Sequence, residues 1–229
     1  MLVDLTRPSL ALAAANIVFN PLFWNIVAQN ATDAEYRRHT ITRALGGNRY
    51  LGCYLLALTI FSLGILRDHL FAAALEEQPS HELLEHRAVR ALGASLISVG
   101  MILVVSSMWV LGVTGTYLGD YFGILMDHMV TGFPFNVTSD PMYWGSSANF
   151  IGVALWYGKP AGLLLSALVI VCYVIALRYE GPFTTMIYKR AAEEKAAIEA
   201  AERASTLATG PPPHPAYFLR AQHRVTTEK

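Results

Sequence analysis

The sequence predicts an all-α, polytopic integral membrane protein with four to five membrane-embedded helices and a cytosolic C-terminal helix. Of the 229 residues, 54% are hydrophobic and only 15% are charged, against about 25% charged in an average soluble domain. Five long stretches carry no charge, whereas fourteen charged residues lie between Arg178 and Lys229. Most of the chain therefore avoids water, and its last quarter is water-soluble in composition.

Composition also argues against several classes of function. Seventeen basic and seventeen acidic residues leave no net charge, which argues against a nucleic-acid partner and against an acidic tail. Cys53 and Cys172 both lie in apolar runs, so we expect small buried side chains rather than a disulfide framework or a metal site.

The five uncharged stretches are the candidate membrane helices, since a crossing needs roughly 17–25 apolar residues. They are Pro8 to Thr32, Tyr50 to Leu66, Ala91 to Gly119, Pro141 to Gly158 and Pro160 to Leu177. The first is the weakest, because asparagines and a proline interrupt it and polar groups are costly in hydrocarbon. It either crosses the membrane or only enters it.

The last two stretches are separated by Lys159 alone, which predicts a helical hairpin with Asp140 and Glu180 on the same side of the membrane. After Glu180 the chain becomes rich in Ala, Glu, Lys and Arg, and residues 184–208 are typical of a water-facing helix. We expect a membrane-embedded domain over 1–190, followed by a solvent-exposed helix and a flexible tail over 191–229.

Basic residues give the orientation. If every stretch crosses, eight Lys and Arg of 33–49 and of the C-terminal segment face five on the other side, which favours a cytosolic C-terminus. In an alternative arrangement the first stretch only dips in and the fourth stays outside the bilayer, which places Gly119 to Gly158 in the lumen. Composition leaves both arrangements open.

Two sequence patterns resemble catalytic motifs but depart from them, one in its spacing and one in a missing residue. His81 and His86 stand five apart, whereas zinc ligands on one helix face stand four apart. The run Gly145 to Asn149 lacks the second glycine of a hydrolase nucleophile turn. Neither pattern supports a hydrolase.

A glycine series and two polar clusters are better candidates for a site. Gly112, Gly115, Gly119 and Gly123 stand three or four apart, which would place them along one helix face, for packing against another helix or for admitting a ligand. Asp120 and three aromatic residues lie among them, and an ionisable residue at membrane depth is a functional candidate. The second candidate pairs the cluster 140–145 with the cluster 178–184 at one end of the hairpin.

Seven segments of the sequence resemble those of one known family. They are Gly119-Asp-Tyr-Phe-Gly-Ile-Leu-Met-Asp127, Val130-Thr-Gly-Phe-Pro-Phe-Asn136, Pro141-Met-Tyr143, Gly158-Lys-Pro-Ala-Gly-Leu163, Ala176-Leu-Arg-Tyr-Glu180, Phe19-Asn-Pro-Leu-Phe-Trp-Asn25 and Ile60-Phe-Ser-Leu-Gly-Ile-Leu-Arg-Asp68. Over roughly residues 9–190 the chain resembles the phospholipid N-methyltransferases, and their fungal branch in particular. That branch, also called methylene-fatty-acyl-phospholipid synthase, converts phosphatidyl-N-methylethanolamine and its dimethyl form to phosphatidylcholine. Whether the first methylation, of phosphatidylethanolamine, is also catalysed stays open.

The resemblance implies S-adenosylmethionine as methyl donor, no metal, and a phospholipid substrate in the endoplasmic reticulum membrane, with a mitochondrial membrane as a second location. The family's Gly-x-Gly donor element falls on Ser98, Val99 and Gly100, and its Glu-Glu pair falls on Glu180 and Gly181. A related Arg-His-Pro-x-Tyr-x-Gly motif falls on Asp140 to Gly145, where Pro, Tyr and Gly are kept. The donor-binding residues expected from this resemblance and from the glycine series are Ser98, Val99, Gly100, Gly119, Asp140, Tyr143, Gly145, Glu180 and Gly181.

Methyl transfer requires an unprotonated amine, so we expect Glu180 or Asp120 to be the catalytic base. Aromatic faces attract the cationic headgroup, and the expected contacts are Tyr121, Phe122 and Trp144. Two other classes stay open at this stage: a non-catalytic membrane protein, and a membrane methyltransferase acting on prenylated proteins or sterols. The oligomeric state stays open as well.

Overall fold

The computed structural model describes residues 2–38, 40–126 and 130–209. Within these ranges, 24–38, 40, 41, 121, 179, 180, 182–184 and 206–209 are described by their backbone alone. The helices are α1 (Pro8–Arg38), α2 (Thr40–Ala44), α3 (Arg49–Glu76), α4 (Arg87–Thr116), α5 (Pro141–Trp156) and α6 (Pro160–Thr209), with a 3₁₀ turn at Gly119–Phe122. The described ranges contain no strand, which confirms the all-α prediction.

Among the described residues, three helices are long and apolar enough to cross a bilayer: α3, α4 and the Pro160–Arg178 part of α6. The first half of α1, Pro8–Phe23, is apolar but shorter. At 16 residues, α5 is about 24 Å long, less than the ~30 Å of a hydrocarbon core. The structure thus confirms a polytopic membrane protein, built around the three helices α3, α4 and α6.

The predicted hairpin of α5 and α6 is present. Its turn contains Gly158 at φ +65°, the left-handed conformation in which glycine commonly ends a helix. The backbone N–H of Lys159 donates to the carbonyl of Ala154 at 2.9 Å. Beyond the turn the two helices touch, because a Cβ on Gly162 would lie 2.7 Å from Ala154 Cβ. The short polar turn and the small residues that follow it allow α5 and α6 to pack closely.

An apolar core joins α1, α3, α5 and α6. Its buried members are Leu10, Ala13, Ile17, Phe71, Ala74, Leu75, Phe150, Ala161, Leu165 and Val169. The rings of Phe71 and Phe150 meet edge to face with centroids 4.8 Å apart, a favourable aromatic geometry. This core fixes α3 against the hairpin of α5 and α6.

A buried glutamine closes one end of the bundle. Gln78 is 3% exposed, and its amide accepts from the backbone N–H of Asp4 at 2.8 Å and donates to the Asp4 carbonyl at 2.9 Å. Lys159 Nζ donates to the Gln78 carbonyl at 2.6 Å. The segment before α1, the connection after α3 and the turn between α5 and α6 are therefore held together.

Neither histidine of the His81–His86 segment lies in the body of a helix. Each uses its Nδ1 to accept a backbone N–H two residues on, from Leu83 and from Ala88, at 3.3 Å in both cases. His86 is thereby the N-cap of α4. Their placement in a turn and a cap explains the five-residue spacing without a metal.

The prediction that Gly112, Gly115, Gly119 and Gly123 share one helix face is wrong. At Gly112, α4 is kinked with φ +63° and ψ −175°, a conformation essentially restricted to glycine. The helix then ends at Thr116, and the chain turns into the 3₁₀ segment. The regular spacing assumed a straight helix through a region where the backbone changes direction.

The chain divides into two compact units, residues 1–183 and 184–229. The first contains α1 to α5 and α6 up to residue 183. Of the second, the structure describes the rest of α6, which confirms a helix over the segment predicted to face water. The expected tail from residue 210 onward lies outside the described residues.

Candidate functional site

The glycines of two predicted donor elements meet at the contact between α4 and α5. A Cβ on Gly100 would lie 2.5 Å from the carbonyl oxygen of Gly145, and a Cβ on Gly145 would lie 2.8 Å from that of Gly100. Gly93 and Gly152 repeat this contact two turns away. Small residues at such points let membrane helices approach closely, so the geometry explains both glycines by helix packing.

Ser98 and Val99 lie beside this contact and do not enter it. Ser98 is exposed, and its hydroxyl donates back to the carbonyl of Ala94 at 2.9 Å. Val99 is 54% exposed. The structure thus brings Gly100 to Gly145 and leaves the other two residues of the element on the outer surface of the unit.

The second glycine-rich segment packs against the beginning of α3. Phe122 is buried, and a Cβ on Gly52 would lie 2.7 Å from its ring. Gly119 is buried too, and a Cβ there would lie 2.6 Å from the Thr114 carbonyl. Both placements are explained by packing. Asp120 is half-buried in the same turn, while the side chain of Tyr121 lies outside the described part.

The start of α5 gathers several of the predicted residues. Asp140 is the N-cap, and within the described part of the chain its side chain makes no capping hydrogen bond to the helix. Its Oδ2 accepts instead from Ser139 Oγ at 2.5 Å. One turn into the helix, Trp144 is 46% exposed. The first turn of α5 therefore presents a carboxylate, backbone N–H groups and an accessible aromatic ring.

Tyr143 connects this turn to α6. Its ring meets that of Tyr173 edge to face, with centroids 4.9 Å apart and an interplanar angle of 84°. Glu180 lies seven positions, or about two turns, further along α6, at the end where α5 begins. Its backbone is helical, but its side chain lies outside the described part. The next residue, Gly181, has no described atom within 4 Å of its Cβ position.

A largely buried arginine, Arg67, adjoins this group, and its role is not evident from the sequence. Arg67 follows the uncharged stretch Tyr50 to Leu66, which predicts a position at the membrane boundary, but α3 continues to Glu76, so Arg67 lies inside the helix. Its Nη1 donates to Tyr173 Oη at 2.5 Å, and Nη2 pairs with Asp68 at 2.9 Å. The only available signal was a charged pair at the end of an apolar run.

The described residues contain no cluster of three or more His, Cys, Asp and Glu side chains able to hold a metal ion. The chemistry available at the start of α5 is thus carboxylate, aromatic and backbone hydrogen bonding. Such a set suits binding of a cation and removal of a proton.

Comparison with known proteins assigns the chain to a family. The model of the phospholipid methyltransferase family matches residues 88–191. The phosphatidyl-N-methylethanolamine N-methyltransferase of Emericella nidulans is 59% identical over 194 residues, which are 85% of this chain and 92% of that protein. The Saccharomyces cerevisiae protein of the same name is 56% identical over 186 residues, covering 81% and 88%.

A mammalian relative carries a different name. The phosphatidylethanolamine N-methyltransferase of Rattus norvegicus is 50% identical over 190 residues, covering 83% of this chain and 93% of that protein. No solved structure matches the chain. With identity this high over nearly the full length of these relatives, the chain belongs to the phospholipid methyltransferase family.

Proposed function

We propose that the protein transfers methyl groups from S-adenosylmethionine to phosphatidyl-N-methylethanolamine and phosphatidyl-N,N-dimethylethanolamine, giving phosphatidylcholine. The observation that carries this proposal is the 59% identity over 92% of a relative named for the first of these substrates. The helical membrane architecture supports it, since such substrates reside in a bilayer. The catalytic domain in this proposal is residues 1–190.

The donor site is proposed at the start of α5. The glycines at 100 and 145 leave no open space between them, because each Cβ position falls within 3 Å of the other's carbonyl oxygen. The residues around Asp140 do fit the donor chemically: aromatic rings attract its sulfonium, and helix N–H groups attract its carboxylate. Tyr143, Asp140 and Glu180 would hold it, with the glycine pair setting the separation of α4 and α5.

When bound, the donor supplies an activated methyl group, and the protein must align the acceptor amine with it and keep that amine unprotonated. Alignment within contact distance accounts for most of such catalysis. Glu180 is proposed to accept the amine proton, with Asp120 as the second candidate. Trp144, 46% exposed beside this position, can face the cationic headgroup. Phe122 is buried, so we give it a packing role.

The proposed location is the endoplasmic reticulum membrane, with the C-terminus in the cytosol. The donor is a cytosolic metabolite, so the start of α5 must be accessible from that side. In the hairpin arrangement the start of α5 and Glu180 face the cytosol together, and the turn at Gly158 faces the lumen. We therefore propose the hairpin arrangement for this protein.

The experiment that tests the function uses purified protein in nanodiscs with methyl-labelled donor. Phosphatidylethanolamine and its monomethyl and dimethyl forms are supplied separately, and lipid products are resolved. We expect label in phosphatidylcholine from the monomethyl and dimethyl forms. Donor binding without any labelled lipid would point to another acceptor, and absence of donor binding would contradict methyl transfer altogether.

A second candidate activity is the first methylation, of phosphatidylethanolamine itself. It is favoured by the 50% identity to the rat relative named for that substrate. The same assay measures it directly. Product from phosphatidylethanolamine at a rate close to that from the monomethyl lipid would establish all three steps.

A further inference from the structure

Arg67 is a charged residue within α3 that directly follows the uncharged stretch Tyr50 to Leu66. It lies nine residues before the end of α3 at Glu76, about 14 Å along the helix axis, and its side chain is only 16% exposed. Buried charges in membrane spans are costly and usually mark functional regions. The contacts of Arg67 show how this charge is stabilised and what it holds in place.

The guanidinium has a hydrogen bond from each of its three nitrogens and an aromatic ring against one face. Nε and Nη2 donate to Asp68 Oδ1 at 3.0 and 2.9 Å, and Nη1 donates to Tyr173 Oη at 2.5 Å. The guanidinium carbon also lies 4.8 Å from the centre of the Phe150 ring. A planar, forked donor can satisfy all three at once, whereas a lysine ammonium cannot. The fork therefore fixes the position of Tyr173 relative to α3.

Tyr173 passes this constraint to α5 by two contacts. Its hydroxyl lies 3.2 Å from Ser146 Oγ, and its ring meets Tyr143 edge to face. Ser146 lies three positions after Tyr143 on α5, so both contacts act on the same turn of that helix. The chain Arg67, Tyr173, Tyr143 therefore links α3 through α6 to the first turns of α5.

We propose that Arg67 is a positioning residue for the methyl-donor site, acting through Tyr173 on Tyr143. The inference rests on the proposed function, because it takes Tyr143 to contact the donor. Held by Arg67, Tyr173 keeps the Tyr143 ring in one orientation before the donor binds, so less conformational freedom is lost on binding. The network also anchors the beginning of α5, where Asp140 lies.

The competing view is that the network only joins helices. A joining role predicts lower thermal stability in variants, with unchanged donor affinity in the folded fraction. A positioning role predicts weaker donor binding by protein that is fully folded. Donor affinity, measured well below the unfolding temperature, separates the two.

The test uses Tyr173→Phe, which keeps the ring contact with Tyr143 and removes only the hydroxyl that Arg67 and Ser146 contact. Donor affinity is measured by equilibrium binding of labelled S-adenosylmethionine to protein in nanodiscs. We expect the Kd to rise about three- to tenfold, since part of a charge-assisted hydrogen bond is lost. Tyr54→Phe is the matched control, because Tyr54 is a half-exposed tyrosine of α3, and its Kd should equal that of the wild type.

Two mutant cycles test the route of the effect. Arg67→Lys should raise the Kd by a similar factor, and the Arg67→Lys, Tyr173→Phe double variant should be no weaker than the weaker single variant. Tyr143→Ala should weaken binding, and adding Tyr173→Phe to it should change nothing further. If Arg67→Lys fails to fold, the Tyr143 cycle alone still decides the matter.

An unchanged Kd for folded Tyr173→Phe, or additive effects in the Tyr143 cycle, would overturn the positioning role while leaving the proposed function intact. If the proposed function itself is wrong, the wild-type protein binds no donor or methylates no lipid. The two failures are therefore distinguished by the wild-type measurement.

Discussion

The sequence resemblance implies a pair of adjacent carboxylates at Glu180 and its neighbour, which is Gly181 in this chain. If a carboxylate accepts the amine proton, no adjacent acid can replace this one. We predict that Glu180→Gln, which keeps the volume and removes the charge, lowers methyl transfer at least tenfold, in line with the typical contribution of general base catalysis. The measurement is the initial rate of label transfer to the monomethyl lipid.

Membrane insertion should be unaffected in this variant and is checked by its yield in detergent. Glu82→Gln serves as the control, because Glu82 is an exposed glutamate in the connection between α3 and α4. Near-normal activity of Glu180→Gln would move the role of base to Asp120, whose own Asn variant would then show the loss.

Gly100 gives a second prediction at the scale of a residue. A Cβ there would overlap Asn149 Oδ1 and would lie 2.5 Å from the Gly145 carbonyl oxygen, which belongs to the backbone and cannot turn aside. We predict that Gly100→Ala destabilises the protein by about 1–3 kcal/mol, as overpacking of a close contact does. Thermal unfolding in detergent measures the change.

Gly64→Ala is the matched control, because Gly64 also lies inside a membrane helix and has no described atom within 4 Å of its Cβ position. Alanine there should be neutral or stabilising, since it restricts the unfolded chain and favours the helix. Equal stability of both variants would contradict the packing explanation of Gly100 and favour a role in ligand binding.

At the scale of elements, the kink of α4 determines where the 3₁₀ turn lies. Gly112 has φ +63° and ψ −175°, and its Cβ position has no described atom within 4 Å, so the conformation alone requires glycine. We predict that Gly112→Ala costs about 1–3 kcal/mol through backbone strain, again measured by thermal unfolding. If it unfolds like Gly64→Ala, the kink is not required for stability.

How far the sequence predicts these elements depends on whether the signal is local. Uncharged runs and the Lys159 turn correctly predict the helices and their hairpin, because charge and turn chemistry act between neighbours. The prediction that Gly112 and Gly119 share one helix face is wrong, because spacing alone does not show that one glycine takes a non-helical conformation.

The candidate site likewise has parts that the sequence predicts and parts that it does not. The cluster around Asp140 and the helix carrying Glu180 could be placed at one end of the hairpin from the turn between α5 and α6. The hydrogen bond between Arg67 and Tyr173 could not be predicted, since the two residues are 106 positions apart and only the packing of α3 on α6 brings them together. Helix packing likewise determines that Gly100 faces Gly145.

At the scale of the whole first unit, the two ends of the hairpin differ in chemistry. The turn at Lys159 is tied by Gln78 to the N-terminal segment through hydrogen bonds between side chains and the backbone. In that segment, hydrogen bonds from the Thr6 hydroxyl and backbone N–H lower the pKa of the Asp4 carboxyl. The other end carries Asp140, Tyr143 and Glu180. A donor that comes from one side only needs access to only one end of the hairpin. The end with the proposed donor site provides it, while the other end is closed by polar contacts.

The last prediction determines which side of the membrane the start of α5 faces. In the hairpin arrangement Ser139, exposed just before α5, faces the cytosol, whereas in the alternative arrangement it faces the lumen. A cysteine at Ser139, in a protein whose Cys53 and Cys172 are replaced by alanine, should react with an impermeant maleimide added to sealed microsomes. Tyr157→Cys in the same background is the control, because Tyr157 is 58% exposed in the α5–α6 turn, which is lumenal in both arrangements.

We expect the cysteine at 139 to be labelled in sealed microsomes and the cysteine at 157 only after the membrane is opened. Asn136 offers an independent reading, since Asn136-Val-Thr138 is a glycosylation acceptor and should stay unmodified on the cytosolic side. Labelling of 139 only after opening, or sugar on Asn136, would place the start of α5 in the lumen. Asp140, Tyr143 and Gly145 would then be out of reach of a cytosolic donor, and the donor site would have to be sought among residues on the other face of the membrane.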